Sequence, residues 1–373
     1  MKKVYIVSDN ILSPIGGSSV ENFGQLIKNV SGVKQHAPGD KSDVPFYASL
    51  FDEAQFESNN YYTKFEQLLL ASVTDALNHA EIDCTDEKTI LIISTTKGNI
   101  SLLETDAGNP GLNSRIALNT SAKLVGESLG FVNRPLVVSH ACISGLVALI
   151  TGLRLLQTGQ YENAVIVGAD VISRFILSGF QSFQAVSAGP CKPFDAERDG
   201  INLGEGAGTI ILSSNPKYSG NIRLAGGAVS NDANHISGPS KTGEELFYAI
   251  DAALSQAGLN KQDIDFISAH GTATVYNDEM EAKAINLARL QHIPVNSLKG
   301  FYGHTLGASG IIEAVIAIQS LKQNTIIPTR GFKTTGVTQP LNVSSQVQRV
   351  PLTNCLKTAS GFGGCNAAIV LTK

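Results

Sequence analysis

Apolar residues fall along this chain in short β-rich runs separated by longer stretches of helical period. Thr89 to Ser94 and Asn163 to Gly168 are apolar at nearly every position, the pattern of strands buried on both faces. Lys3 to Val7, Leu136 to Val138, Thr209 to Leu212, Asn221 to Ala225, Asp265 to Ala269 and Ala367 to Leu371 predict further strands. Val20 to Asn29, Phe65 to Leu77 and Ala117 to Leu129 predict helices. Gly145 to Leu156 is apolar almost all round and rich in small residues, which predicts a helix buried in a core. Residues 31–63 and 105–114 are polar or rich in turn formers and predict irregular chain. Strands and helices alternating in this way favour mixed sheets covered by helices.

The second half of the pattern repeats the first. Ser-Gly followed by apolar residues in register opens a helix at Ser144-Gly145 and again at Ser309-Gly310, an offset of 310 − 145 = 165 residues. Each half closes on a Gly-rich turn and a hydrophobic strand: Gly204-Glu-Gly-Ala-Gly208 before Thr209, and Gly361-Phe-Gly-Gly364 before Ala367. The order of three matched elements points to a duplicated α/β unit. Its boundary falls in the linker-like Asn215-Pro-Lys-Tyr-Ser-Gly220, giving halves 1–214 and 215–373.

Composition narrows the class. The 373 residues are 43% hydrophobic, ordinary for a globular protein. Lys plus Arg is 28 and Asp plus Glu is 32, a net charge of −4 that disfavours a nucleic-acid partner needing a basic face. No apolar run reaches the ~20 residues that span a bilayer. Met1-Lys-Lys-Val-Tyr-Ile-Val7 reads as a first strand rather than a signal peptide. The five cysteines are odd in number and scattered, with neither a disulfide framework nor metal-ligand spacing, so a reducing, cytoplasmic setting is expected.

Three residues carry candidate chemistry. Cys142 sits where the strand Leu136 to Val138 gives way to the buried helix. A helix N-terminus stabilises thiolate, so a lowered thiol pKa is expected; a buried inert Cys is the bland alternative. His270 ends a β-run in a small-residue turn, and open α/β sheets place ligand sites at such strand ends. His304 lies just ahead of the repeated helix. A pseudo-two-fold between the halves would bring His304 towards Cys142. His36, His79, His140, His235 and His292 are read as structural, with His140 turned away by strand alternation.

With these residues in place, the sequence resembles the β-ketoacyl-acyl carrier protein synthases, the elongating condensing enzymes of the thiolase-like superfamily. Ala141-Cys142-Ile-Ser-Gly145 resembles the family's nucleophile motif. His270-Gly-Thr-Ala-Thr274, followed by Asp278 and Glu281, resembles its first His motif. Ser297-Leu-Lys299 with Gly303-His304-Thr-Leu-Gly-Ala-Ser-Gly310, then Glu313, resembles the second. Pro193-Phe-Asp with Arg198-Asp-Gly200, Gly204 to Gly208 and Gly361-Phe362-Gly-Gly also match, and the likeness runs the whole chain in order.

The resemblance implies two pseudo-repeated βαβαβαββ halves stacked in α-β-α-β-α layers. It implies decarboxylative Claisen condensation of an acyl thioester with malonyl-acyl carrier protein, in fatty acid, polyene or polyketide synthesis. Cys142 would carry the acyl group, and His270 and His304 would stabilise the enolate. Lys299 would orient His304, and Glu313 would support that network. The Cys142 and Phe362 amides would form the oxyanion hole, with the Phe362 ring as gate. No metal or nucleotide is called for, because the substrates arrive on the carrier's phosphopantetheine. The implied partners are the acyl carrier protein and a second subunit, identical or homologous, with no nucleic acid and no membrane.

Several departures accompany the resemblance. Ser360 stands where many relatives have the first Phe of Phe-Gly-Phe-Gly-Gly, and loops around residues 30–60 and 184–192 are short. Glu57 to Lys64 carries one basic residue where many relatives have a basic carrier-docking cluster, which makes Tyr61 and Tyr62 candidate apolar contacts. Three other readings fit less well. A chain-length-factor-like subunit would lack the nucleophile. A thiolase would use a second Cys, for which only Cys365 is near the expected place. A dinucleotide site fails because Gly204 to Gly208 precedes a strand and not a helix.

Overall fold

The computed structural model describes residues 2–56, 61–233 and 236–373. Residues 57–60 of the candidate docking stretch, and His235, lie outside them. The first half contributes strands β1 (Tyr5–Leu12), β2 (Thr89–Ser94), β3 (Leu136–Val138), β4 (Asn163–Asp170) and β5 (Gly206–Ser213). Its longer helices are α1 (Ser19–Ile27), α2 (Lys64–Asn78), α3 (Leu118–Ser128), α4 (Ser144–Gln157) and α5 (Arg174–Ser182). The second half contributes β6 (Arg223–Asn231), β7 (Phe266–Ser268), β8 (Val295–Asn296), β9 (Asn354–Gly361) and β10 (Cys365–Thr372), with α6 (Glu244–Ala257), α7 (Val275–Leu287) and α8 (Ser309–Gln323).

The strands run β8-β7-β9-β10-β6-β1-β5-β4-β2-β3. Each half therefore orders its own strands third, second, fourth, fifth, first. In each, the outer three strands are parallel and the inner pairings antiparallel. The halves meet edge to edge at one pair, Tyr5 opposite Arg223. This identical topology is the duplication anticipated from the repeated Ser-Gly helices.

The period of two in a strand explains the layering. In β2, Ile90 and Ile92 join α4 and α8 in the central core, while Leu91 and Ile93 join Phe65, Leu68, Leu69 and Val73 of α2 on the outer face. In β10, Ala367 and Ile369 face the central core, and Ala368 and Val370 face Leu246, Ala249 and Ile250 of α6. α4 and α8 thus form the middle layer between the two five-stranded halves of the sheet, and Ser309 to Leu321 of α8 is buried throughout. The five-layer order expected for a thiolase-like fold results.

The paired glycines let the middle helices touch. A Cβ on Gly145 would lie 2.9 Å from the Ile311 amide, and one on Gly310 would lie 2.8 Å from the Leu146 amide. The backbones cross at the two Ser-Gly steps, so no side chain fits there.

Two stretches read as irregular carry structure. Val33–His36 and Phe46–Ser49 pair as a hairpin extended by Leu203–Gly204, and single helical turns form at Leu102–Thr105 and Leu112–Arg115. Phe46, Ala48 and Leu203 are buried in a small cluster of their own, but each of these elements is only two to four residues long, too short for a period to reveal it.

Candidate active site

Cys142 lies in a tight turn between β3 and α4. Ala141 has φ +46°, a left-handed conformation that only a small side chain enters at modest strain. The Ser144 hydroxyl fixes the turn, accepting from the His140 amide at 2.7 Å and donating to the Ala141 carbonyl at 2.6 Å. The thiol is buried two residues before the helix begins.

His270 follows β7 in a loop held by two carboxylates of α7. Glu281 accepts from the His270 and Gly271 amides at 2.8 and 2.6 Å, and from the Thr358 hydroxyl at 3.0 Å. Asp278 accepts from the Thr272 and Phe194 amides at 2.9 and 2.7 Å. Spaced i, i+3, these two acids share one helix face, and burial pushes Asp278 up to about 7. Their work is to bind the loop's amides, so the Asp-x-x-Glu pattern acts on the backbone that presents His270.

His304 is held by the Gly-rich strand. Its amide donates to the Asn202 carbonyl at 2.7 Å, and its carbonyl accepts from the Gly204 amide at 3.0 Å. Gly303, at φ +65°, lies against the Leu203 carbonyl, where no Cβ fits. Gly204 to Gly208 therefore serves close packing against the His304 segment and α8.

These three segments converge. The Cys142 sulfur and one nitrogen each of His270 and His304 lie within 4.8 Å of one another, and the two rings meet edge to face at 5.2 Å. All three side chains are buried. Neither ring nitrogen of His304, nor Nδ1 of His270, has a hydrogen-bond partner among the described residues. Burial and the charge of Lys299 hold both imidazoles well below the ordinary histidine range, so both are neutral near pH 7.

The expected low thiol pKa is not what this environment gives. Burial pushes the Cys142 thiol up to about 12, outweighing the charge of Lys299 and a hydrogen bond from the Phe362 backbone. The residue rests as a thiol, and its proton must leave as the sulfur reacts.

Beneath the histidines lies a buried charge cluster. Lys299 hydrogen-bonds Glu313 and donates to the Ser309 hydroxyl at 2.8 Å. Lys357 reaches the other Glu313 oxygen at 2.7 Å and donates to the Thr358 carbonyl at 2.6 Å and to the Ser268 and Ala269 carbonyls, both at 3.2 Å. Lys299 makes no hydrogen bond to a His304 ring nitrogen, so it acts on that ring through charge. Two lysines holding Glu313 keep it below the usual carboxylate range despite burial.

Sequence reasoning missed Lys357, although a Lys between Cys355-Leu356 and the small residues Thr358-Ala359-Ser360, just ahead of the Gly-rich turn, was the available signal. It also missed Asp170, which ends β4. Asp170 accepts from the Thr95 hydroxyl and the Gly307 amide, both at 2.6 Å, and ties the first half to the His304 segment.

The Phe362 ring stacks on Phe180 of α5 at 5.6 Å and leans on Phe183 at 5.4 Å. These rings, with Cys142, His270 and His304, line a cavity of about 430 Å³. Cys365, pushed up to about 11 by burial, donates to the Phe362 carbonyl at 3.3 Å. Ser360 donates to Asn366 at 2.7 Å across the hairpin, and both residues belong to the cavity wall. Away from the cavity, Lys64 is not a free docking charge. It pairs with buried Glu205 at 2.8 Å and lies over the Phe56 ring. Tyr61 is largely exposed.

Known proteins resemble this chain over most of its length. The family descriptions "Beta-ketoacyl synthase, N-terminal domain" and "Beta-ketoacyl synthase, C-terminal domain" match residues 1–217 and 222–333. 3-Oxoacyl-[acyl-carrier-protein] synthase 2 of Staphylococcus aureus is 28% identical, over 100% of this chain and 98% of that protein. A Streptomyces halstedii protein provisionally named polyketide beta-ketoacyl synthase 1 is 30% identical over 83% of this chain and 82% of its own. A chain of the solved ishigamide ketosynthase/chain length factor structure superposes with a TM-score of 0.91, at 25% identity and covering 100% of this chain and 99% of that one.

Proposed function

This chain belongs to the β-ketoacyl synthase family, and from that premise we propose that it condenses an acyl thioester with malonyl-acyl carrier protein, with loss of carbon dioxide. The observation that carries the reading is the convergence of Cys142, His270 and His304 within 4.8 Å at the wall of the cavity.

The first step moves an acyl group from its carrier thioester to Cys142, releasing the carrier thiol. The Cys142 proton goes to a neighbouring neutral imidazole or to the departing sulfur, which suits a thiol whose pKa is about 12. The amides of Cys142 and Phe362 take up the oxyanion, a role supported by the hydrogen bond from the Phe362 backbone to the sulfur. In the second step malonyl-carrier loses carbon dioxide and its thioester oxygen gains negative charge. His270 and His304, neutral and short of partners, are suited to donate there. The enolate carbon then attacks the acyl carbon, the bond to Cys142 breaks, and the sulfur recovers a proton. Lys299, Lys357 and Glu313 act as positioning residues that fix the field around the imidazoles. The Phe362 ring gates the cavity, a role supported by its stacking on Phe180 at the cavity wall.

No step draws on a metal or nucleotide. The carrier's phosphopantetheine brings both substrates, and the product serves fatty acid, polyene or polyketide synthesis. The protein works with a second subunit, a copy of itself or a homologue; the ishigamide neighbour is a ketosynthase/chain length factor. No described helix is long and apolar enough to cross a membrane, and the five free thiols suit the cytoplasm. The test is incubation of the chain with a panel of acyl carriers and malonyl-carrier, reading the carrier by intact mass. A β-ketoacyl carrier two carbons longer is expected; unchanged malonyl-carrier with every acyl donor would refute the proposal.

A further inference from the structure

We propose that Cys142, His270 and His304 also form a binding site for zinc(II), and that the seated ion blocks the site. One thiol sulfur and two imidazole nitrogens approach within 4.8 Å of one another from three separate segments. Tetrahedral zinc spaces its sulfur and nitrogen ligands about 3.3–3.7 Å apart, so rotations of about 1 Å would close the set. Both histidines are about 98% buried or more, and three of their four ring nitrogens lack partners among the described residues. Thiolate and imidazole donors select zinc over magnesium or calcium. All three residues line the cavity, which leaves room for water or a ligand as a fourth donor.

The surrounding charge makes the thiolate essential. Lys299 and Lys357 share a single carboxylate, Glu313, so the field beneath the histidines is positive and disfavours a bare dication. Binding therefore displaces the Cys142 proton to solvent as the sulfur–zinc bond forms, with no change of oxidation state. Cys365 lies nearby in the hairpin that presents Phe362 and is the competing thiol. Metal binding does not depend on the reaction proposed above; only the resulting inhibition does.

The test titrates the chelator-treated full chain with cobalt(II), then displaces it with zinc(II). One equivalent should give a thiolate-to-cobalt charge-transfer band with tetrahedral visible bands. Zinc should erase both, shield Cys142 from iodoacetamide, and be removed by EDTA. Cys142→Ser and His304→Ala should each weaken zinc binding by more than the roughly 100-fold that loss of an outer partner costs, while Cys365→Ser leaves it unchanged. The inference is overturned by absence of the charge-transfer band, by stoichiometric zinc retained in Cys142→Ser, or by loss of the site in Cys365→Ser. Condensation by the chelator-treated chain is scored separately, so failure of one proposal does not mimic failure of the other.

Discussion

Replacing Glu313 by Gln should expose how the charge under the histidines is balanced. Lys299, Glu313 and Lys357 are all buried, and one carboxylate faces two ammonium groups. Removing one partner of a buried ion pair costs about 3–5 kcal/mol. An independent bound comes from letting one lysine lose its proton. From an ordinary pKa of about 10.4, doing so at pH 7 costs about 4.6 kcal/mol. The two routes agree, so Glu313→Gln should lose about 4 kcal/mol at pH 7 in equilibrium urea unfolding. The sign with pH is fixed: the buried lysine is neutral while the unfolded one is protonated, so stability rises with pH. The loss should shrink by about 1.4 kcal/mol per unit up to the ordinary lysine pKa. Lys357→Met leaves a one-to-one Lys299–Glu313 pair and should cost less than about 2 kcal/mol. In the double variant only Lys299 stays unbalanced, so part of the loss returns. A Glu313→Gln protein within about 1 kcal/mol of the parent, or one whose loss grows with pH, would refute this account of the cluster.

Three further outcomes are expected. His270→Ala and His304→Ala should each lose malonyl decarboxylation by orders of magnitude while single-turnover acyl transfer to Cys142 suffers less; equal losses in both steps would remove the histidines from enolate stabilisation. Because burial first, and Lys299 next, depress both imidazoles, the unfolded chain takes up their protons at a pH where the folded chain does not. Stability should then fall as pH drops below about 6.5, by up to about 2.7 kcal/mol per unit for the pair, and His304→Gln should halve that slope in urea titrations at pH 5.5 and 7. Gly310→Ala should lower stability by about 1–3 kcal/mol, because the new Cβ would lie 2.8 Å from the Leu146 amide; an unchanged melting temperature would show that the middle helices can slide apart.

Much of the site was legible because its chemistry sits at element junctions. Cys142, His270 and His304 each follow a short apolar run and precede small residues, and the repeated Ser-Gly steps identified the two helices that meet. What stayed hidden depends on burial and on contacts between distant segments. The start of α4 favours the Cys142 thiolate locally, but desolvation by burial overrides it. The metal-competent grouping joins residues 142, 270 and 304, too far apart for any spacing rule. α7 has little amphipathic signature because its inward face carries Asp278 and Glu281 for the His270 loop. Phe180 meets Phe362 only in three dimensions.

The central claim, that Cys142 carries the acyl chain through condensation, is tested most directly by a pulse and chase. The chain is loaded from an acyl carrier, mapped by peptide mass spectrometry, and then given malonyl-carrier. The account predicts an acyl group on Cys142, absent in Cys142→Ala and present in Cys365→Ser. It also predicts loss of that group in step with carbon dioxide release and appearance of β-ketoacyl carrier. An acyl group on Cys365, or one on Cys142 that malonyl-carrier leaves in place, would contradict it.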